Sequence, residues 1–110
     1  MDFKPIYIVD TLAVKPAQQI AMLKLLQEEG IPIMQEAGLE LVGCYSTSPE
    51  LDEDVLIQVT WKVSDHSAFN LIRKEFVTDP RWWSYSARAS QLRTGGTRRF
   101  FYPAPLQANI

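Results

Sequence analysis

Residues 39–62 read LELVGCYSTSPELDEDVLIQVTWK, and this stretch decides the fold. Its first part, 39–47, alternates Leu39, Leu41, Gly43 and Tyr45 against Glu40, Val42, Cys44 and Ser46. That two-residue period predicts a strand. Residues 54–62 set Val55, Ile57, Val59 and Trp61 against Leu56, Gln58 and Thr60, a second strand with one apolar and one mixed face. The link between them, Ser48-Pro49-Glu50-Leu51-Asp52-Glu53, is polar and contains a proline, as a hairpin loop requires.

Working outward, each side of this hairpin repeats one pattern. On the N-terminal side, Ile6-Tyr7-Ile8-Val9-Asp10-Thr11-Leu12-Ala13-Val14 is rich in β-branched and aromatic residues and predicts the first strand. Both of its faces are largely apolar, which predicts burial on both sides. Pro16 suits the first turn of a helix. Residues 17–29 carry Ile20, Leu23 and Leu26 at helical spacing. Gly30 and Pro32 predict a kink, with the helix resuming to Ala37 and stopping at Gly38. On the C-terminal side, Ser64-Asp65 predicts a cap for a helix with Phe69, Ile72 and Phe76 inward. Asp79-Pro80 predicts a further helix with Trp82, Tyr85, Ala89 and Leu92 on one face, closed by Gly95-Gly96. Residues 97–102 read as the last strand, ended by Pro103 and Pro105.

The order is β-α-β-β-α-β, the split βαβ arrangement. It implies an α+β, ferredoxin-like βαββαβ domain with an antiparallel sheet, spanning 1–110 as one unit. Right-handed crossovers put the helices on one side of the sheet. The other side is too apolar for water, and a second copy of the chain is the economical cover. In the spatial order 4-1-3-2 the first and last strands are neighbours, so Asp10 and one of Arg98 and Arg99 can meet across the ladder.

Bulk composition narrows the function classes. The chain has 110 residues, 46% hydrophobic and 22% charged, with a net charge of −2. This is an ordinary globular balance, with no field to draw nucleic acid or anionic lipid. The single cysteine, Cys44, forms no internal disulfide. Met1-Asp2-Phe3-Lys4-Pro5 lacks the basic start and apolar run of a signal peptide, and no stretch is long enough for a membrane span. The expectation is a cytoplasmic protein without nucleic-acid or membrane partners. Three Trp, five Phe and four Tyr are more rings than one small core hides, which points to a pocket or a partner.

In its succession of motifs the chain resembles the NIPSNAP-like family of the dimeric α/β-barrel superfamily. The matches are Lys15-Pro16 after the first strand, Gly30-Ile31-Pro32 in a kinked helix, and Gly38-Leu39-Glu40-Leu41-Val42-Gly43 in the second strand. Trp61 ends the third strand, Asp79-Pro80-Arg81-Trp82 opens the last helix, and Arg99-Phe100-Phe101-Tyr102-Pro103 closes the chain. Where the family places a Glu and an Arg on one face of the first strand, this chain has Ile8 and Asp10. The resemblance implies a homodimer joined through its sheets. It does not fix a chemistry, because the superfamily holds monooxygenases, cyclases, dehalogenases and haem degraders. The positions near the histidine of the haem degraders hold Phe76, Asp79, Arg81 and Trp82, so haem has no axial donor there. No cofactor and no metal are expected.

The candidate residues each carry two readings. Asp10 is either a catalytic acid or base with a raised pKa, or a strand residue paired with an arginine. His66, the lone histidine, is either a general base or a solvated residue in the first turn of its helix. Tyr7, Tyr45, Trp61 and Trp82 either line a ligand pocket or fill core and dimer seam. Arg98 either meets Asp10 or binds a ligand anion. Cys44 has no basic neighbour to activate it and reads as an apolar filler. The leading functional expectation is a pocket for a hydrophobic aromatic or polyketide-like molecule, transformed, if at all, without a cofactor. Its rival is a structural or regulatory homodimer, which a closed core without a cavity would favour.

Overall fold

The computed structural model describes residues 4–104 and 106. Strand β1 (Ile6–Val14) leads through a 3-10 turn at Pro16–Gln18 into helix α1 (Gln19–Leu25), a π turn at Leu26–Gly30 and helix α2 (Ile31–Ala37). Strands β2 (Glu40–Ser46) and β3 (Val55–Val63) form the hairpin. Helices α3 (His66–Val77) and α4 (Pro80–Leu92) follow, and β4 (Arg93–Phe101) completes the sheet. The strand order is β2-β3-β1-β4, with every pairing antiparallel. This is the ferredoxin-like order.

The local signals act as their chemistry requires. Asp65 caps α3 by accepting the Ala68 N–H at 2.8 Å, and Asp79 caps α4 by accepting that of Arg81 at 2.9 Å. Gly38 ends α2 with φ of 122°, a conformation that disfavours a side chain. The expected kink at Gly30 and Pro32 is a π turn. Proline has no N–H to give and its ring crowds the carbonyl four residues back. One wide turn before it relieves that crowding while the helix continues.

The core lies between the helices and one sheet face. Ile6, Ile8 and Val14 of β1 and Val55, Ile57, Val59 and Trp61 of β3 are buried there against Met22, Leu26, Ile33, Met34, Phe69, Phe76, Tyr85 and Ala89. Among the described residues no layer covers the other sheet face. Tyr7, Val9, Thr11 and Ala13 are half-buried by their neighbours, and Leu56, Tyr45 and Phe101 are exposed. Burial on both sides of β1 therefore holds for the helix-facing side of this chain, while the opposite side is partly open.

Two sequence expectations are corrected. Tyr45 was expected on the face of Leu39 and Leu41. The register of β2 shifts between Leu41 and Gly43, so Cys44 pairs with Val59 and Tyr45 with Gln58. One extra residue flips everything after it. Tyr45 therefore stands on the open face, 62% exposed, with its ring folded over Gly43. Gly95-Gly96, expected to close the last helix, lies inside β4 opposite Ala13 and Leu12. Helix α4 stops two residues earlier, at Arg93, which takes an extended conformation. The last strand thus begins at Arg93 rather than at 97.

Candidate functional site

A cavity of about 360 Å³ lies between the helices and the β1–β4 side of the sheet. Its apolar wall is Leu12, Leu26, Met34, Val59, Trp82 and Ala89; its polar wall is Asp10, Tyr85, Ser86, Arg93 and Arg98. Sequence places these groups through strand parity. Asp10 and Leu12 share the inward parity of Ile6 and Ile8, and Arg98 and Gly96 stand opposite them on β4. At Gly96 the missing side chain leaves room that Arg93 uses: a Cβ there would stand 3.2 Å from Arg93 Nη1. Helix α4 forms the roof. Arg88 of α4 pairs with Glu29 of the π turn, and Arg81 pairs with Glu36 of α2 at 2.5 Å. The Arg88 partner holds the Glu29 carboxyl below its usual range.

Arg98 grips Asp10 from the next strand. Its Nε donates to Asp10 Oδ1 at 2.6 Å and its Nη2 to Oδ2 at 3.0 Å. Both carboxylate oxygens are thereby engaged by one planar fork. The Asp10 side chain is 14% exposed. The guanidinium also lies over the Phe69 ring, 5.6 Å from its centre.

Tyr85 projects from α4 and is almost completely buried. Burial pushes its phenol up to about 12, with the Arg93 cation the largest opposing pull. Its ring packs on Trp82, at 5.4 Å between centres, and Trp82 packs on Phe76 at 4.7 Å.

The structure therefore brings Asp10, Arg98 and Trp82 to one chamber and places the other candidates elsewhere. Trp61 is fully buried in the core, its indole N–H without a partner among the described residues. Tyr7 has the opposite strand parity and, like Tyr45, belongs to the open face. His66 begins α3, exposed, hydrogen-bonded to the Tyr102 hydroxyl and leaning on Phe100 at 5.3 Å. It does not line the cavity. Trp83 turns outward and donates to the Val77 carbonyl at 2.9 Å. Burial raises the Cys44 thiol, the behaviour of an inert thiol rather than a nucleophile.

Two residues of the polar wall escape a sequence reading. Tyr85 looks like one more member of a helix stripe, and Arg93 like one of several scattered arginines. Nothing local distinguishes them, because the cavity is made by α4 crossing β1 and β4.

Comparison with known proteins agrees with this architecture. No curated protein matches the chain. Residues 7–107 match the NIPSNAP family. A NIPSNAP family protein of unknown function from Agrobacterium tumefaciens superposes with a TM-score of 0.81 at 24% identity, over 100% of this chain and 97% of its own. An uncharacterized NIPSNAP domain protein from Burkholderia xenovorans gives 0.79 at 20% identity, over 93% and 97%. A Caulobacter crescentus protein, described as a candidate antibiotic biosynthesis monooxygenase, gives 0.64 at 16% identity, over 93% and 92%. These likenesses show a common fold. The family match runs over nearly the whole chain, and on that ground the chain belongs to the NIPSNAP family, built on a ferredoxin-like fold that it shares with monooxygenase-like proteins.

Proposed function

We propose that the protein binds an apolar small molecule, aromatic or polyketide-like, in the cavity beneath α4. The observation that carries this reading is the cavity itself. The hollow, about 360 Å³ and partly open to solvent, leaves apolar side chains uncovered beside a carboxylate and two guanidiniums, an arrangement that a purely structural core does not need. Its size lies in the range of ligand pockets, and its lining has their composition, mostly apolar with a few convergent polar groups. A packed interior would instead have favoured a purely structural or regulatory homodimer.

A catalytic version of the same reading would use Asp10, which lines the cavity while paired with Arg98. A carboxylate on the wall of an apolar chamber is placed to move a proton on a bound ligand, as cofactor-free oxygenation, cyclisation or isomerisation requires. Arg98 orients it. The monooxygenase-like neighbour supports this by analogy of fold alone.

The working unit of this proposal is a homodimer in the cytoplasm, with the open faces of two sheets packed together. The half-buried Tyr7, Val9 and Ala13 and the exposed Leu56 and Phe101 support it. The expected interface is about 1,600 Å² or more in total. Sedimentation at micromolar concentration checks this, and a stable monomer would contradict it.

The cavity is tested by titrating a panel of two- and three-ring aromatic compounds while following tryptophan fluorescence, since Trp82 is in the wall. The expected result is saturable quenching by some members, abolished in Ala89→Trp and weakened in Ala89→Phe, both checked for folding by thermal melts. Absence of quenching, or equal quenching in the filled variants, sinks the reading.

A further inference from the structure

The polar wall of the cavity is unbalanced in charge. Asp10 and Arg98 satisfy each other. Arg93, also in the wall, has no ion pair or hydrogen-bonding partner for its guanidinium among the described residues. Among the described residues no further acidic group lines the chamber. Glu29, the other carboxylate that acts on Tyr85, is paired with Arg88 and does not line the chamber.

Tyr85 adds a second unused donor. Its hydroxyl has no hydrogen-bond partner among the described residues. Trp61 Nε1 is the only fully enclosed side-chain polar atom without a partner among them. Tyr85 lines the cavity, with its hydroxyl beside the helix backbone at Gly30. A phenol is protonated at neutral pH and can donate. Ser86 lines the same wall one residue on.

We infer that the ligand is an organic anion, with an apolar ring body and one carboxylate or enolate-type group turned to the polar wall that holds Arg93 and Tyr85. The body lies along Leu12, Leu26, Met34, Val59 and Trp82. This deepens the cavity reading and rests on it. The Arg93 guanidinium and the Tyr85 phenol are donors in the lining of one cavity, and an anionic group is the acceptor that suits both. Arg93 is exposed and solvated, and an anionic ligand offers it a charge-assisted hydrogen bond that a neutral ligand cannot.

The test compares 2-naphthoate with its neutral isostere 2-naphthamide, by calorimetric titration at neutral pH. Wild-type protein should bind the acid roughly tenfold or more tightly than the amide. Arg93→Gln should remove that preference by weakening the acid alone. Arg93→Lys should restore part of it, and Tyr85→Phe should weaken the acid by a smaller factor. Arg93 is exposed at the start of a strand, so the substitutions are expected to fold, and thermal melts check this. Equal affinity for acid and amide, or an unchanged preference in Arg93→Gln, overturns the anion assignment while leaving the cavity reading standing. Binding of neither compound overturns both.

Discussion

The phenol ring of Tyr85 lies flush against the helix backbone at Gly30, so close that a Cβ at Gly30 would stand 2.6 Å from its Cζ and 2.8 Å from its hydroxyl. Gly30 is therefore the seat of Tyr85 as well as a member of the π turn. Gly30→Ala should push the ring toward the cavity and destabilise the fold by about 1–3 kcal/mol, as overpacking does. Combining it with Tyr85→Leu should recover much of the loss, because the shorter side chain no longer reaches the helix. Denaturant titration of the single and double variants measures both effects. Additive losses would mean that the two positions do not interact.

The two-pronged contact between Arg98 and Asp10 makes Asp10 a structural residue whatever else it does. Asp10→Asn keeps the shape but removes the charge, leaving a partly buried guanidinium poorly paired. The expected cost is about 1–3 kcal/mol, measured by denaturant titration. If the catalytic reading holds, the same variant also abolishes turnover under conditions where it remains folded. Unchanged stability would show that solvent already satisfies Arg98.

Pro32 stands in the first turn of α2, immediately after the wide π turn. Pro32→Ala restores an N–H that can join the helix ladder and trims a half-buried ring that is not one of the buried core residues. It also frees the unfolded chain, which works in the opposite direction. The two effects should leave stability within about 1 kcal/mol of the parent. A lost thermal transition would mean that the ring holds the turn in place.

The phenol of Tyr85, pushed up to about 12 by burial, makes stability depend on alkaline pH. An unfolded tyrosine loses its proton near pH 10. Between about pH 10 and 12 the folded chain holds a proton that the unfolded chain has given up. Stability from this group is thus complete below pH 10 and is lost as pH rises through 12. Ultraviolet titration of phenolate should show a step near pH 12 that is missing in Tyr85→Phe. A profile unchanged by that substitution would place the late step elsewhere.

What the sequence determined by itself was the succession of elements. Strand parity in β1 and β3, the capping aspartates Asp65 and Asp79, and the stop at Gly38 are properties of a few adjacent residues, so they are legible wherever the chain folds. The order of elements then confined the topology, and that topology set Asp10 on a strand beside Arg98. What only the tertiary structure decided depends on contacts between distant segments. A single inserted residue at Val42 moved Tyr45 to the open face, because parity carries no memory across a bulge. Gly95-Gly96 has the composition of a turn, yet the ladder to Ala13 and Leu12 holds it in a strand. Tyr85 and Arg93 acquire their meaning from the space between α4 and the sheet. That space is a gap in packing rather than a pattern of residues, and no local reading of the chain contains it.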